Sequence, residues 1–328
     1  MGHRLGFTGD VMLGRGVDRR QRRRPTDAVW GDLLEALRSL DGLFVNLECA
    51  VATSGDPWTR TERAFRFRAD PDWAIGELEA AGVDWVTLAN NHALDFEEAA
   101  LLETLEHLEA AGIAVSGAGR DRETACAPAV VDLGGLRIGL VAYTDNTPAY
   151  GATEDRPGTC QGPLGERARS TIDPALARLE AERVDATVAS LHWGPNMTTA
   201  PDDVRRDLAR WLVDRGIDVV HGHSAHVFHG VEVHDGRPIL YDTGDFVDDY
   251  AVDPRRRNDR SFLFVVEVDD GGTPTALTLT PTVIEDGAVH RARGEVAAWC
   301  RRTMRERSEA LDTAFDRDGT GLRVDLGR

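Results

Sequence analysis

The sequence predicts an α/β fold of two mixed β-sheets flanked by helices. Three observations carry this expectation. From residue 4 to about residue 220, short apolar runs alternate with helical patterns, the order of an α/β chain. From residue 231 onward the strand-like runs crowd together, separated by the hairpin signals His234-Asp235-Gly236 and Asp269-Asp270-Gly271-Gly272. Polar, chemistry-bearing residues stand where apolar runs end, the place where open α/β sheets hold ligands. The 328 residues, 41% of them hydrophobic, suffice for a substantial core.

The elements follow in order. Arg4-Leu5-Gly6-Phe7-Thr8 reads as a first strand running into Gly9-Asp10, which puts Asp10 at its tip. An arginine-rich loop, Arg19-Arg20-Gln21-Arg22-Arg23-Arg24-Pro25, precedes a helical pattern over 29–40, with Leu33, Leu34, Leu37 and Leu40 on one face and Gly42 as its stop. Leu43-Phe44-Val45 continues into Asn46-Leu47-Glu48, and strand alternation points Asn46 and Glu48 to one face. Helices fit 72–81, 97–111, 173–183 and 201–215, each followed by a strand-like run. Trp85-Val86-Thr87-Leu88 leads to Asn90-Asn91-His92 and Asp95, and Ala186-Thr187-Val188-Ala189-Ser190-Leu191 leads to His192-Trp193-Gly194. Strands are expected at 231–234, 237–241, 261–268 and 277–283. The polar stretches 53–72 and 146–169 both follow strand ends, and read equally as a substrate rim or as plain surface loops. Residues 1–290 form the expected main domain. Residues 291–328 are expected as an extension, a charged amphipathic helix over 295–315 followed by a disordered tail.

Net charge is −18, from 56 acidic and 38 basic residues, and every basic residue is arginine. That balance argues against nucleic acid and favours a small anion over a long acidic polymer. There is no apolar run of membrane-spanning length, and the first twenty residues carry Arg4, Asp10, Arg15, Asp18, Arg19 and Arg20, so neither span nor signal peptide is expected and the chain reads as cytoplasmic. Oligomeric state is not legible. Cys49, Cys126, Cys160 and Cys300 are widely spaced and form no Cys-x-x-Cys pair, so reduced structural thiols are the default.

The most informative stretch is His221-Gly222-His223-Ser224-Ala225-His226, directly after the apolar Gly216-Ile217-Asp218-Val219-Val220. Five of the ten histidines (His221, His223, His226, His229 and His234) fall here, a concentration that points to metal binding. His223 with His226 reads as the ligand pair, with His221 and His229 as neighbours. Residue type alone leaves three other positions open: Asp10 between ligand and turn cap, His192 between ligand and core histidine, Asn91 between ligand and turn residue. Arg15 fits either an anionic substrate or a structural ion pair.

Six segments in order, Gly9-Asp10-Val11-Met12-Leu13-Gly14-Arg15, Asn46-Leu47-Glu48, Asn90-Asn91-His92 with Asp95, His192-Trp193-Gly194, Gly222-His223 with His226, and Tyr241-Asp242-Thr243-Gly244-Asp245-Phe246, resemble the CapA-type poly-γ-glutamate capsule biosynthesis family. That family belongs to the calcineurin-like metallophosphoesterase superfamily, and the resemblance spans residues 5–248. It implies a four-layer α-β-β-α sandwich and two divalent metal ions, Mn, Fe or Zn. Asp10 and His226 would hold the first metal and Asn91, His192 and His223 the second, with Glu48 bridging and a water or hydroxide completing the site. His92 would serve as general acid, oriented by Asp95, while Arg15 and Asn46 would touch substrate.

Three departures bear on that pattern. Met12 stands where the wider superfamily has a second-position His, Pro195 and Asn196 follow the His-Trp-Gly run where a Glu is common, and Asp245 replaces a common Asn. Three functions are compatible: a dinuclear phosphatase or phosphodiesterase acting on a small organophosphate, γ-glutamyl or amide-bond chemistry, and a non-catalytic binding or assembly role.

Overall fold

The computed structural model describes residues 2–327. The first strand, His3–Val11, is the centre of a large mixed sheet. It runs parallel to Gly42–Leu47 and Asp245–Val247 and antiparallel to Arg260–Val268. Trp85–Thr87 and Ala114–Ser116 extend the sheet on one side, Pro274–Glu285 and Gly321–Asp325 on the other. A second, six-stranded sheet has Leu136–Thr144, Ala186–His192, Val219–His223 and Arg237–Leu240 parallel at its middle, with Ala129–Leu133 and Val231–His234 antiparallel at its edges.

Alternation along the strands sorts side chains into three apolar layers. Leu5, Phe7 and Phe44 from the large sheet meet Ile138, Val188 and Val219 from the other, forming the core between the sheets. Leu43, Val45 and Leu47 face the opposite way, against the helices Pro71–Ala81 and Glu97–Ala110. Val141, Ala189 and Val220 pack against Glu166–Glu182 and Asp203–Asp214 on the far side of the second sheet. The result is the expected helix-sheet-sheet-helix order.

Local differences from the expectation have local causes. Residues 29–40 do not form one helix: a 3-10 segment, Ala28–Leu33, kinked at Gly31 with φ 49°, precedes a short helix, Leu34–Arg38. The helix expected from 173 starts at Glu166 and carries Pro174 inside; burial of Ala168 and Ile172 before the proline offsets the lost backbone bond. His221 and His223 lie within their strand, Val219–His223, rather than after it. The carboxyl-terminal helix is Gly294–Glu309, and Cys300 and Met304 on it enter the core between the sheets. The tail expected to be disordered is instead a hairpin, Asp316–Asp318 with Gly321–Asp325, whose second strand pairs with Pro274–Glu285 and buries Leu322. Residue 290 therefore marks no boundary in the sheet.

The cysteines require a further correction. Cys126 and Cys160 form a disulfide across 34 residues, while Cys49 and Cys300 are free and buried. Widely spaced cysteines carry no pairing signal, so the bond was not legible. Closing a loop of that length stabilises the fold by about 3–4 kcal/mol. Peptide mapping without reductant should recover the Cys126–Cys160 pair and free Cys49 and Cys300, and reduction should lower the melting temperature by about 5 °C.

Candidate metal centre

The parallel strands of both sheets end at one seam, where the chemistry-bearing residues collect. At Asp10 the register against Gly42–Leu47 slips between Phe7 and Asp10, which re-aims the Asp10 carboxylate. Gly9 permits the close approach, since a Cβ there would lie 2.0 Å from the Gly244 carbonyl oxygen. Asn46 Nδ2 donates to Asp10 Oδ1 at 2.7 Å, and Asn46 Oδ1 accepts from Asn90 Nδ2 at 2.9 Å. Asn46 is fully buried behind Asp10, so it orients the carboxylate rather than touching substrate as expected.

Two groups of potential ligands converge, and Asp10 belongs to both. One contains Asp10, His192 and His223; the other contains Asp10, Glu48, His226 and Asp245, with one donor atom from each residue within 4.8 Å of the rest of its group. The parallel register places His192 beside His223, with their Nδ1 atoms 2.8 Å apart. Ser190 Oγ engages His223 Nε2 at 2.9 Å, which turns His223 Nδ1 toward Asp10. His221 is no ligand: its Nε2 donates to the Thr8 carbonyl at 2.8 Å and ties the two sheets together. His226 Nδ1 lies 2.8 Å from Asp245 Oδ1 and 3.4 Å from Asp10 Oδ2. Asp10 is common to both groups, while Glu48, the expected bridge, belongs to the second. Met12 takes no part, since its sulfur accepts the Gly14 N–H, and Asp245, the carboxylate the family pattern lacks, completes the group that Met12 leaves short.

His92 sits beside this cluster. Its Nδ1 is 2.5 Å from Asp95 Oδ2 and its Nε2 is 3.9 Å from Glu48 Oε1. Asp95 is itself held by the Tyr150 hydroxyl at 2.8 Å, the Phe67 N–H at 2.8 Å and Arg63 at 3.3 Å. Arg63 also donates to the Asn91 carbonyl oxygen. Asn91 keeps its own Oδ1 buried and without a hydrogen-bond partner.

A cleft of about 730 Å³ opens over His92, Asn91 and His226, edged by Arg15, Arg63, Phe65 and Tyr250. The stretch 53–72 thus supplies part of a rim. The stretch 146–169 does not line this cleft; it acts from behind, through Tyr150 and Thr147. Arg15 lines the cleft, and its Nε lies 3.5 Å from Asp249 Oδ1. Arg15, Met197, Ser224 and His226, all bordering the site, have positive φ, a conformation that costs each about 1–3 kcal/mol and is retained where packing enforces it.

Burial dominates the electrostatics. It drives Glu48 well above the usual carboxylate range, with Asp10 adding to the rise, and it raises Asp245 despite the opposing pull of His226. Burial also opposes charge on His226, yet Asp245 and Glu48 outweigh it and hold that imidazole protonated. Asp10 is held below the usual range because His226 and the other surrounding imidazoles overcome burial. Burial pushes His192 down to about 3. Asp10 Oδ2, Glu48 Oε1 and Asp245 Oδ2 have no hydrogen-bond partner, a costly arrangement for buried carboxylates. Cations offset that cost, and the mixed oxygen and imidazole set fits Mn, Fe or Zn. The donors present therefore fit two divalent ions.

Residues 4–250 match the bacterial capsule synthesis protein family, PGA_cap. The chain belongs to that family. A probable polyglutamine synthesis accessory protein of Mycobacterium tuberculosis is 32% identical, covering 90% of this chain and 88% of its own. The capsule biosynthesis protein CapA of Bacillus anthracis is 26% identical over 86% of this chain and 67% of its own. In fold, the chain is similar to a putative 5'-nucleotidase from Staphylococcus aureus, with a TM-score of 0.51 at 12% identity over 90% of this chain and 55% of that one. It is also similar to a hypothetical protein from Thermus thermophilus, with a TM-score of 0.50 at 20% identity over 88% of this chain and 100% of that one. The fold of this PGA_cap member is thus metallophosphoesterase-like, as the motif order implied.

Sequence reasoning missed Asp245 as a ligand candidate, although the Gly-Asp-Phe departure signalled an added carboxylate. It missed Arg63, Tyr150 and Ser190, which sit in segments without a distinguishing pattern.

Two outcomes follow. Asp10→Asn should empty both cation positions, whereas Asp245→Asn should weaken one at least tenfold, read as metal per chain by elemental analysis. Because burial and its neighbours shift Glu48, Asp245 and His226 toward their protonated forms in the metal-free protein, cation uptake should expel protons and metal affinity should fall as pH is lowered; calorimetry in buffers of different ionisation enthalpy reads both effects.

Proposed function

We propose that this chain is a hydrolase that cleaves a small anionic phosphoester, using two divalent cations held about Asp10. The supporting observation is that both donor groups share Asp10 and open beside His92 on a cleft edged by Arg15 and Arg63. Bound there, the cations supply Lewis-acid polarisation of the phosphoryl group and a water of lowered pKa. Asp10, Glu48, His226 and Asp245 would hold one ion, and Asp10, His192, His223 and Asn91 the other.

The remaining chemistry belongs to the chain. A water that has lost one proton to solvent bonds through its oxygen to phosphorus as the ester P–O bond breaks, and His92 Nε2 gives its proton to the departing oxygen. Asp95 fixes the His92 ring through Nδ1, and Tyr150, the Phe67 amide and Arg63 fix Asp95. Arg63 neutralises charge on the bound ester, and Arg15 lines the outer part of the cleft. Burial lowers the His92 pKa, and the Asp95 charge and hydrogen bond work against that fall.

A second reading, cation-polarised attack on a γ-glutamyl carbonyl, is supported by the relatives named for polyglutamine and capsule synthesis. Among the described residues no helix is long and apolar enough to cross a membrane. The Cys126–Cys160 bond supports an oxidising compartment over the cytoplasm that the sequence suggested.

His92→Ala should keep both metals and lower kcat by about 10²–10⁴-fold on aryl phosphates. Asp95→Asn removes the groups that raise the His92 pKa, so the alkaline limb of the kcat profile should move to lower pH with metal content unchanged. Metal-loaded protein that turns over γ-glutamyl peptides but no phosphoester would favour the second reading.

A further inference from the structure

The wall of the cleft is aromatic, and its order points outward from the chemistry. The His92 ring stacks on Phe67 at 3.8 Å, Phe67 stacks on Phe65 at 6.3 Å with 20° between planes, and Tyr250 closes on Phe67 at 5.6 Å. The Arg15 guanidinium lies 4.9 Å over Phe65 and 5.4 Å over Phe67. Phe65 is 58% exposed, the most exposed large hydrophobic side chain described, and it lies on the cleft rather than on the outer surface. In series with Phe67 and His92 along the cleft, the Phe65 ring offers a face on which a planar ligand group can stack.

We infer that the leaving group of the substrate carries a planar ring that stacks on Phe65, so that the ligand is an ester pairing a phosphoryl anion with an aryl or heteroaryl group. The inference rests on the phosphoester reading for its anionic end. Two features fix the orientation. Arg63, with the cations that the donor groups about Asp10 would hold, makes the inner end of the cleft suited to the anion, and the Phe67–Phe65 shelf begins at His92, the proposed proton donor to the departing oxygen. A ring attached through that oxygen by a short chain extends along the shelf toward Arg15, whose guanidinium flanks the ring electrostatically. The cleft volume, about 730 Å³, lies within the range of small-molecule sites and exceeds what a phosphoryl group alone fills.

The test uses three non-hydrolysable probes with the same anionic end: ethylphosphonate, 2-cyclohexylethylphosphonate and 2-phenylethylphosphonate, titrated calorimetrically into the purified full chain with and without Mn²⁺. The phenyl probe should bind about tenfold more tightly than the ethyl probe, and more tightly than the cyclohexyl probe. Phe65→Ala should collapse the phenyl-to-ethyl ratio and Phe65→Tyr should preserve it. Equal affinity for the three probes, or a ratio untouched by Phe65→Ala, would overturn the inference. Turnover of 2-phenylethyl phosphate is measured separately: ring-dependent binding without hydrolysis counts against the phosphatase reading and leaves the shelf standing, while hydrolysis without ring preference does the reverse.

Discussion

The structure depends on one buried anion at the seam between its sheets. The Asp10 carboxylate stands at the end of the central strand of one sheet, is gripped from behind by Asn46, and faces imidazoles delivered by the other. Isolated in an apolar interior, such a group would cost several kcal/mol. Here Glu48, Asp245 and Asp248 are buried nearby, which increases the cost. Imidazoles offset part of it, and divalent cations bound there would offset the rest. The fold and the site are therefore one electrostatic arrangement: the bulge at Asp10, the close packing at Gly9 and the strained backbone of Ser224 and His226 persist because ligand geometry and strand packing require the same positions.

Much of this was legible in the sequence, because strands and ligands announce themselves by type and period. The apolar run before His221 and the run before His192 each read as strands, and parallel pairing made their final histidines neighbours. Asp10, Glu48, His192, His223 and His226 all reach the seam. Asn46 was misassigned because alternation gives the face of a side chain but not its depth, and at that depth a carboxamide orients a carboxylate rather than a substrate. Asp245 was visible only as a departure; that it joins the donor group of Asp10, Glu48 and His226 requires knowing the strand pairing that sets it beside Asp10. The disulfide and the carboxyl-terminal hairpin were opaque for a different reason. Both depend on contacts across long separations, and short charged strands such as Asp316–Asp318 lack the apolar alternation that marks a buried one.

The loops that complete the site do so in two ways. The stretch around Arg63, Phe65 and Phe67 faces the cleft directly, while the stretch carrying Tyr150 works from behind by holding Asp95. Cys160 anchors that second stretch to the body of the protein through Cys126, so the covalent bond and the orientation of the His92 ring lie on one continuous path. Membership of the PGA_cap family sets the framework within which Asp245 adds a carboxylate to the donor group around Asp10.

The account is tested most directly by a crystal structure of the manganese-reconstituted protein with anomalous scattering to locate the ions. It predicts two peaks about 3.5–4 Å apart, with the Asp10 carboxylate contributing an oxygen to each and Asp245 ligating the ion on the His226 side. A single peak, or two peaks bridged by Glu48 with Asp10 on one ion alone, would contradict it.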